Sequence, residues 1–247
     1  MSGHSKWASI KHKKGIADAK RGQKFTKLIK EITVATKMGG PDPESNATLR
    51  TAILKAKAEN MPKDNIERAI KKGSGEADAA VYYELSYEGY APNGIAIIVD
   101  TLTDNKNRTA ADVRSTLTKL GGSLGTTGCV SYMFQTKGVI TYSEDKYSEE
   151  EIFEAALENG ADDVETGDGI IEVKTEPSDF ANVLEALQAA GFEQDSAGVE
   201  KIADQMVALD SDKAKKVLKI VDKLEDLEDV QQVSTNLELP DDFEEDE

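Results

Sequence analysis

Near Gly73 the chain changes charge sign and hydrophobic period together, and this divides it into two electrostatic halves. Residues 1–75 hold 17 Lys/Arg against 7 Asp/Glu, a net of +10. Residues 76–247 hold 13 against 40, a net of −27, so the 247-residue chain carries −17 in all. Before the change apolar residues recur at helical spacing; after it they alternate as in half-buried strands. Such asymmetry points the basic part toward a polyanionic partner.

The basic part reads as a small helical domain, residues 1–75, led by an extended arm over residues 1–16. The arm carries Lys6, Lys11, Lys13 and Lys14 with few apolar positions. From about Ala17 to Met38, Phe25, Leu28, Ile29 and Ile32 recur at i, i+3, i+4, i+7, one face of a helix. Lys20, Lys24, Lys27 and Lys30 fall largely away from that face, as a row of ammonium groups. "DPES" predicts a second helix with Asp42 as its N-cap and Pro43 at its first helical position. "NMPKDNIERAIKKGSG" predicts a third, shorter one that starts at Pro62. Its exposed residues mix signs (Lys63, Asp64, Glu67, Arg68), so it makes a poor recognition helix, and the lysine row suits phosphates better than base edges. Trp7 between Lys6 and Lys11 can stack on an exposed base or fold back onto the bundle.

The acidic part reads as α/β. "VYYELSYEGY" alternates, Asn93-Gly94 is a hairpin signal, and "IAIIV" is a central strand. A helix over about 107–120 and a strand "CVSYMF" follow. Then come the strand "GVITYS", helix Glu149–Glu158, a hairpin "DDVE-TGDG-IIEV", helix Ser178–Ala190 and the strand "DSAGVEKIA". That order is the split βαβ plan. Helix Ser211–Glu225 and the strand "VQQVST" can return to the sheet begun at Val81. The expected domains are therefore 1–75, then 76–137 joined to 204–239, with 138–203 inserted, and a disordered acidic tail at 240–247.

Nothing in the sequence supports catalysis or a cofactor. "GGSLGTTG" matches neither phosphate-loop pattern, and the acids at 162–168 have glycines at the wrong offsets for a calcium loop. Cys129 is the one cysteine, so it forms no internal disulfide, and both histidines lie over a hundred positions away. His4 and His12 lack Cys or carboxylate companions for a metal. No apolar run is long enough for a membrane span, and the N-terminus has neither a secretory signal nor transit-peptide composition. A cytoplasmic protein without a small-molecule substrate is expected; the sequence does not settle its oligomeric state, with a monomer favoured.

"GHSKWASIKHKKGIADAKRGQKFTKLIKEI", "LRTAILKAKAENMPKDNIERAIKKGSG", "YEGYAPNGIAIIVDTLTDNKNRT" and "GCVSYMF" together resemble the YebC/PmpR family of bacterial proteins, whose relatives include a mitochondrial translational activator. The resemblance spans essentially the whole chain; the acidic extension beyond Leu239 is less typical. It implies an α+β fold: an N-terminal three-helix domain followed by two interlocked α/β domains with antiparallel, ferredoxin-like character. It also implies a non-enzymatic role in gene expression, as a DNA-binding transcriptional regulator or as a ribosome-associated, rRNA-binding translation factor. A protein-interaction adaptor working through the acidic sheets is the remaining alternative. The positions that match the family's basic segment are Lys6, Trp7, Lys11, His12, Lys13, Lys14, Lys20, Arg21, Lys24, Lys27 and Lys30.

Overall fold

The computed structural model describes residues 18–75, 81–240 and Phe243, with side chains from Gly22 onward. Helices α1 (Asp18–Gly39), α2 (Ala47–Ala58) and α3 (Lys63–Ser74) come first among the described residues, and α1 packs against both of the others. Their shared core joins Leu28, Ile32, Leu49, Met61 and Ile66 to Ala35, Ala52, Ala56 and Ala69. With so many alanines the core is thin, and close approach replaces bulk. A Cβ on Gly73 would lie 2.4 Å from the Thr33 carbonyl oxygen and 2.7 Å from the Thr36 Cβ, so α3 sits directly on α1 only because that position is glycine.

The turn between α1 and α2 corrects a sequence expectation. Asn46, rather than Asp42, caps α2: its Oδ1 accepts from the Leu49 N–H (3.1 Å), and its Nδ2 donates to the carbonyls of Ala35 (2.8 Å) and Gly40 (2.9 Å). One buried amide therefore satisfies the end of one helix and the start of the next. Asp42 instead accepts from Ser45 and the Glu44 N–H in a turn of its own that precedes the helix.

Among the described residues ten strands follow, with four more α-helices among them. Strands β1 (Tyr83–Ala91) and β2 (Ile95–Thr103) form a hairpin through Asn93 and Gly94, both at positive φ (67° and 76°), as a tight hairpin turn requires. With β3 (Ser123–Leu124) and β9 (Val230–Thr235) they form a sheet in the order β3-β1-β2-β9. Helices α4 (Lys106–Lys119) and α7 (Ser211–Glu225) pack on it and on each other. Ile98 and Ala96 of β2 meet Val130, Met133 and Phe134 in a second small cluster. β8 (Val207–Ala208) and β10 (Leu237–Glu238) pair in parallel.

The segment Cys129–Met133 is not the strand that its composition suggests. Ser131–Met133 is a 3-10 turn, and strand β4 begins only at Phe134 and runs to Ser143. The cause is a distant carboxylate, described below.

After β4 come α5 (Glu149–Glu158), β5 (Asp163–Gly167), β6 (Ile170–Thr175), α6 (Phe180–Ala189) and β7 (Ser196–Ala203). The sheet order is β5-β6-β4-β7, the split βαβ arrangement read from the sequence. Asp168 and Gly169, at φ 54° and 82°, turn the β5–β6 hairpin. Its core contains Ile140, Tyr142, Ile152, Ile171, Phe180 and Leu184, and it also takes in Leu54 and Ala58 from α2.

The chain divides into two units: residues 1–79 with 136–200, and residues 80–135 with 201–247. β4 and β7 carry the backbone from one to the other and back. Within the segment expected as a disordered tail, Phe243 is buried and its N–H donates to the Pro240 carbonyl (3.0 Å). Among the described residues no helix is long and apolar enough to cross a membrane.

Candidate nucleic-acid interface

Of the basic positions singled out in the sequence, Lys6, Trp7, Lys11, His12, Lys13 and Lys14 lie outside the described residues. Lys20 and Arg21 are helical in α1, and their side chains are not described. Lys24 is exposed, and its Nζ lies 2.5 Å from Glu59 Oε1. Lys27 and Lys30 are half-buried rather than projecting freely from the helix. Glu31, one turn along the helix from Lys27, pairs with Lys55 at 2.8 Å. The Lys24–Glu59 and Glu31–Lys55 pairs tie α1 to α2. Both are at least partly exposed, so each contributes about 0–1 kcal/mol and serves register more than stability.

Helix α3 is committed in the same way. Lys63 approaches Glu67 (3.6 Å), and the Arg68 Nε–H donates to the Asp64 carbonyl (3.2 Å). Over its first two turns the outer face therefore mixes signs, with Lys63 and Arg68 set beside Asp64 and Glu67.

The cations that do converge were missed as a group by the sequence reading. Lys37 stands in the last turn of α1, and Lys71 and Lys72 stand in the last turn of α3; all three are exposed. Ala69 lies over Thr33 and Gly73 over Thr36, so the two helices run side by side with their C-terminal ends together. Lysines in last turns compensate the helix dipole, and here two such turns are brought to one end of the bundle. The signal available in the sequence was the recurrence of lysine before each helix stop: Lys37, Lys55 and Lys57, Lys71 and Lys72.

The acidic sheet unit holds two buried carboxylates that the sequence reading also missed. Glu88, on β1, accepts from the N–H groups of Gly128 (2.7 Å), Val130 (2.9 Å) and Ser131 (2.8 Å). Burial works to raise its pKa, but the three backbone donors outweigh it and hold the carboxyl below its usual range. This clip shapes the loop that bends Cys129–Met133 away from strand geometry, and it leaves Tyr132 exposed. Burial, and then the Glu88 charge, push the Cys129 thiol pKa up, the opposite of an activated nucleophile. Asp229 gathers donors from Arg108 Nη2 (2.8 Å), Thr109 (2.9 Å) and Thr103 (3.1 Å), joining the start of α4 to the start of β9. Among the described residues no group of three or more His, Cys, Asp or Glu side chains could hold a metal ion.

A family model described as the TACO1/YebC protein N-terminal domain matches residues 5–76, and a second, described as the TACO1/YebC second and third domain, matches residues 82–237. The chain belongs to the TACO1/YebC family. Curated relatives in this family carry the name probable transcriptional regulatory protein. One from Treponema denticola is 64% identical over 244 residues, 99% of both chains. Another, from Treponema pallidum (strain Nichols), is 59% identical over 240 residues, 97% of this chain and 98% of its own. The Geobacter sulfurreducens relative is 56% identical over 239 residues, 97% and 96% of the two chains. A crystal structure of a conserved hypothetical protein from Aquifex aeolicus superposes with a TM-score of 0.82 at 47% identity, covering 93% of this chain and 95% of that one. The α+β architecture is thus shared with a solved structure.

Proposed function

We propose that the protein is a non-enzymatic regulator of gene expression that acts in the cytoplasm and binds nucleic acid through residues 1–75, as a DNA-binding transcriptional regulator. The observation that carries this reading is the segregation of charge, +10 over residues 1–75 against −27 over the rest. The names of the relatives support the regulatory role. The convergence of Lys37, Lys71 and Lys72 extends the basic surface beyond the lysines of the N-terminal segment. Phosphates are the matching ligand, because lysine is a point charge that carries little sequence information. The acidic remainder then repels nonspecific polyanion and leaves only one part of the molecule able to engage.

A second reading, a ribosome-associated factor that contacts rRNA, draws on α3. Its Lys63 and Arg68 make only local contacts and alternate with Asp64 and Glu67, a mixed-sign face poorly suited to reading bases. Folded RNA requires no base-reading helix.

Fluorescence anisotropy of the full chain on labelled duplex tests the common claim. With about five phosphates neutralised, log K falls against log salt with a slope near −4 to −5. A slope near zero rejects it. Sedimentation with ribosomes at moderate salt, set beside promoter against random duplex, separates the two readings. A preference of about a hundredfold for the promoter, with no protein in the ribosome pellet, rejects the ribosomal one.

A further inference from the structure

Helix α5 buries Ile152 and Ala156 but leaves two large apolar side chains in water: Phe153 is 42% exposed and Leu157 40%. They stand four residues apart and therefore side by side on one stripe. Exposed neighbours on that stripe are Glu149, Glu150 and Glu154, and Glu158 follows at its end. The helix has five glutamates and no cation. Glu151 is accounted for by its capping box with Ser148. Glu150, Glu154 and Glu158 have no such role. They repeat at i, i+4, i+8, where like charges repel. Glu158 also sits at the C-terminal end, where the helix dipole disfavours an anion. Among the described residues none of the three makes an ion pair. An apolar pair set among uncompensated acids is a surface built for a basic ligand that carries apolar residues.

We infer that this face of α5 is a docking site for the chain's own residues 1–17. Three observations select that occupant. Its composition is complementary: Lys6, Lys11, Lys13 and Lys14 stand among Trp7 and Ile10, with no acid from residue 1 to residue 17. It also starts from the right place. Lys24 of α1 pairs with Glu59, and the adjacent Ala58 is buried in the same apolar cluster as Ile152 and Ala156 of α5. Asp18 is six residues from Lys24 along α1, about 9 Å of helix. Finally, 17 residues span up to about 55–60 Å when extended, more than enough to reach along a ten-residue helix. Covalent attachment gives the segment a high effective concentration at α5 without a tight intrinsic affinity.

The consequence rests on the nucleic-acid reading: the same lysines cannot face α5 and a phosphate backbone together, so docking restrains binding. If the segment is docked about nine-tenths of the time, releasing it tightens the apparent affinity about tenfold.

Trp7 is the only tryptophan in the chain, so its emission reports the segment directly. Two double variants of the full chain are compared with wild type: Phe153→Ala with Leu157→Ala, and Glu154→Gln with Glu158→Gln. The second removes repulsion within α5 and leaves the helix at least as stable. Docking predicts that Trp7 emission shifts to the red, and that acrylamide quenching increases, in both variants. Wild type moves toward them as salt rises, and both variants bind labelled duplex more tightly. Unchanged emission and quenching in both variants overturn the inference. A wild-type Trp7 signal that depends on protein concentration, with dimers in sedimentation, overturns the intramolecular form in favour of a second copy's segment. Because the emission is read without nucleic acid, a red shift in variants that bind no duplex upholds the docking and rejects the nucleic-acid reading alone.

Discussion

The helical segment and the acidic sheet unit solve the same problem, joining elements at a polar junction, with different chemistry. In the former, Asn46 joins α1 to α2 with a neutral amide, over a core in which four of the nine buried apolar residues are alanine. In the latter, Glu88 holds the 128–131 loop with a full charge, beside a strand, β2, that is buried along almost its whole length. The comparison teaches that bulk apolar burial carries the sheet unit, whereas close approach and neutral caps carry the bundle. In the sheet unit a titratable group stands where the local fold depends on its charge.

The largest effect is expected where burial is deepest. Ile97→Ala, in the middle of β2 and fully buried, should cost about 2–5 kcal/mol in urea unfolding. An equal cost for Ala52→Gly in the bundle would break the comparison, since that change removes one methyl group. Next comes Glu88→Gln, which should cost about 1–3 kcal/mol near neutral pH. The pH dependence has a definite sign. Because the folded pKa of Glu88 is lowered, its contribution is complete above the ordinary carboxylate range. It is lost as pH falls through the folded value. The stability gap between wild type and Glu88→Gln should therefore be level at neutral pH and close on acidification. A gap that widens with acid would refute the clip. The smallest effect belongs to Asn46→Ala, about 1–2 kcal/mol, with no pH dependence of its own across the same range. The two junctions thus separate on a single stability–pH plot.

How far the sequence foretold these features depended on how local their causes are. Asn93-Gly94 and Asp168-Gly169 announced their hairpins because a positive φ at two successive residues is a local demand. The order of the ferredoxin-like sheet followed from element order and short loops. Asp42-Pro43 outcompeted Asn46 as an apparent cap because the donors and acceptors that select Asn46 belong to Ala35 and Gly40, which only the folded bundle brings near. Cys129–Met133 looked like a strand because its apolar alternation is real. Glu88, forty positions earlier, takes the N–H groups that a strand would have offered to a neighbour. Lys24, Lys27 and Lys30 were placed correctly on one helix, but a helical wheel does not show that Glu59 from another helix will meet the first of them. The grouping of Lys37 with Lys71 and Lys72 was equally hidden, since it depends on Gly73 letting two helices touch.

Helix α2 contributes to two interiors at once. Leu49, Ala52 and Ala56 face the other two helices, while Leu54 and Ala58 complete the interior built around Ile140 and Phe180. A fragment cut after residue 75 would therefore expose an oily seam that the intact chain never shows to water. Measurements on such a fragment would report self-association and adhesion to any available surface rather than the behaviour of the parent molecule.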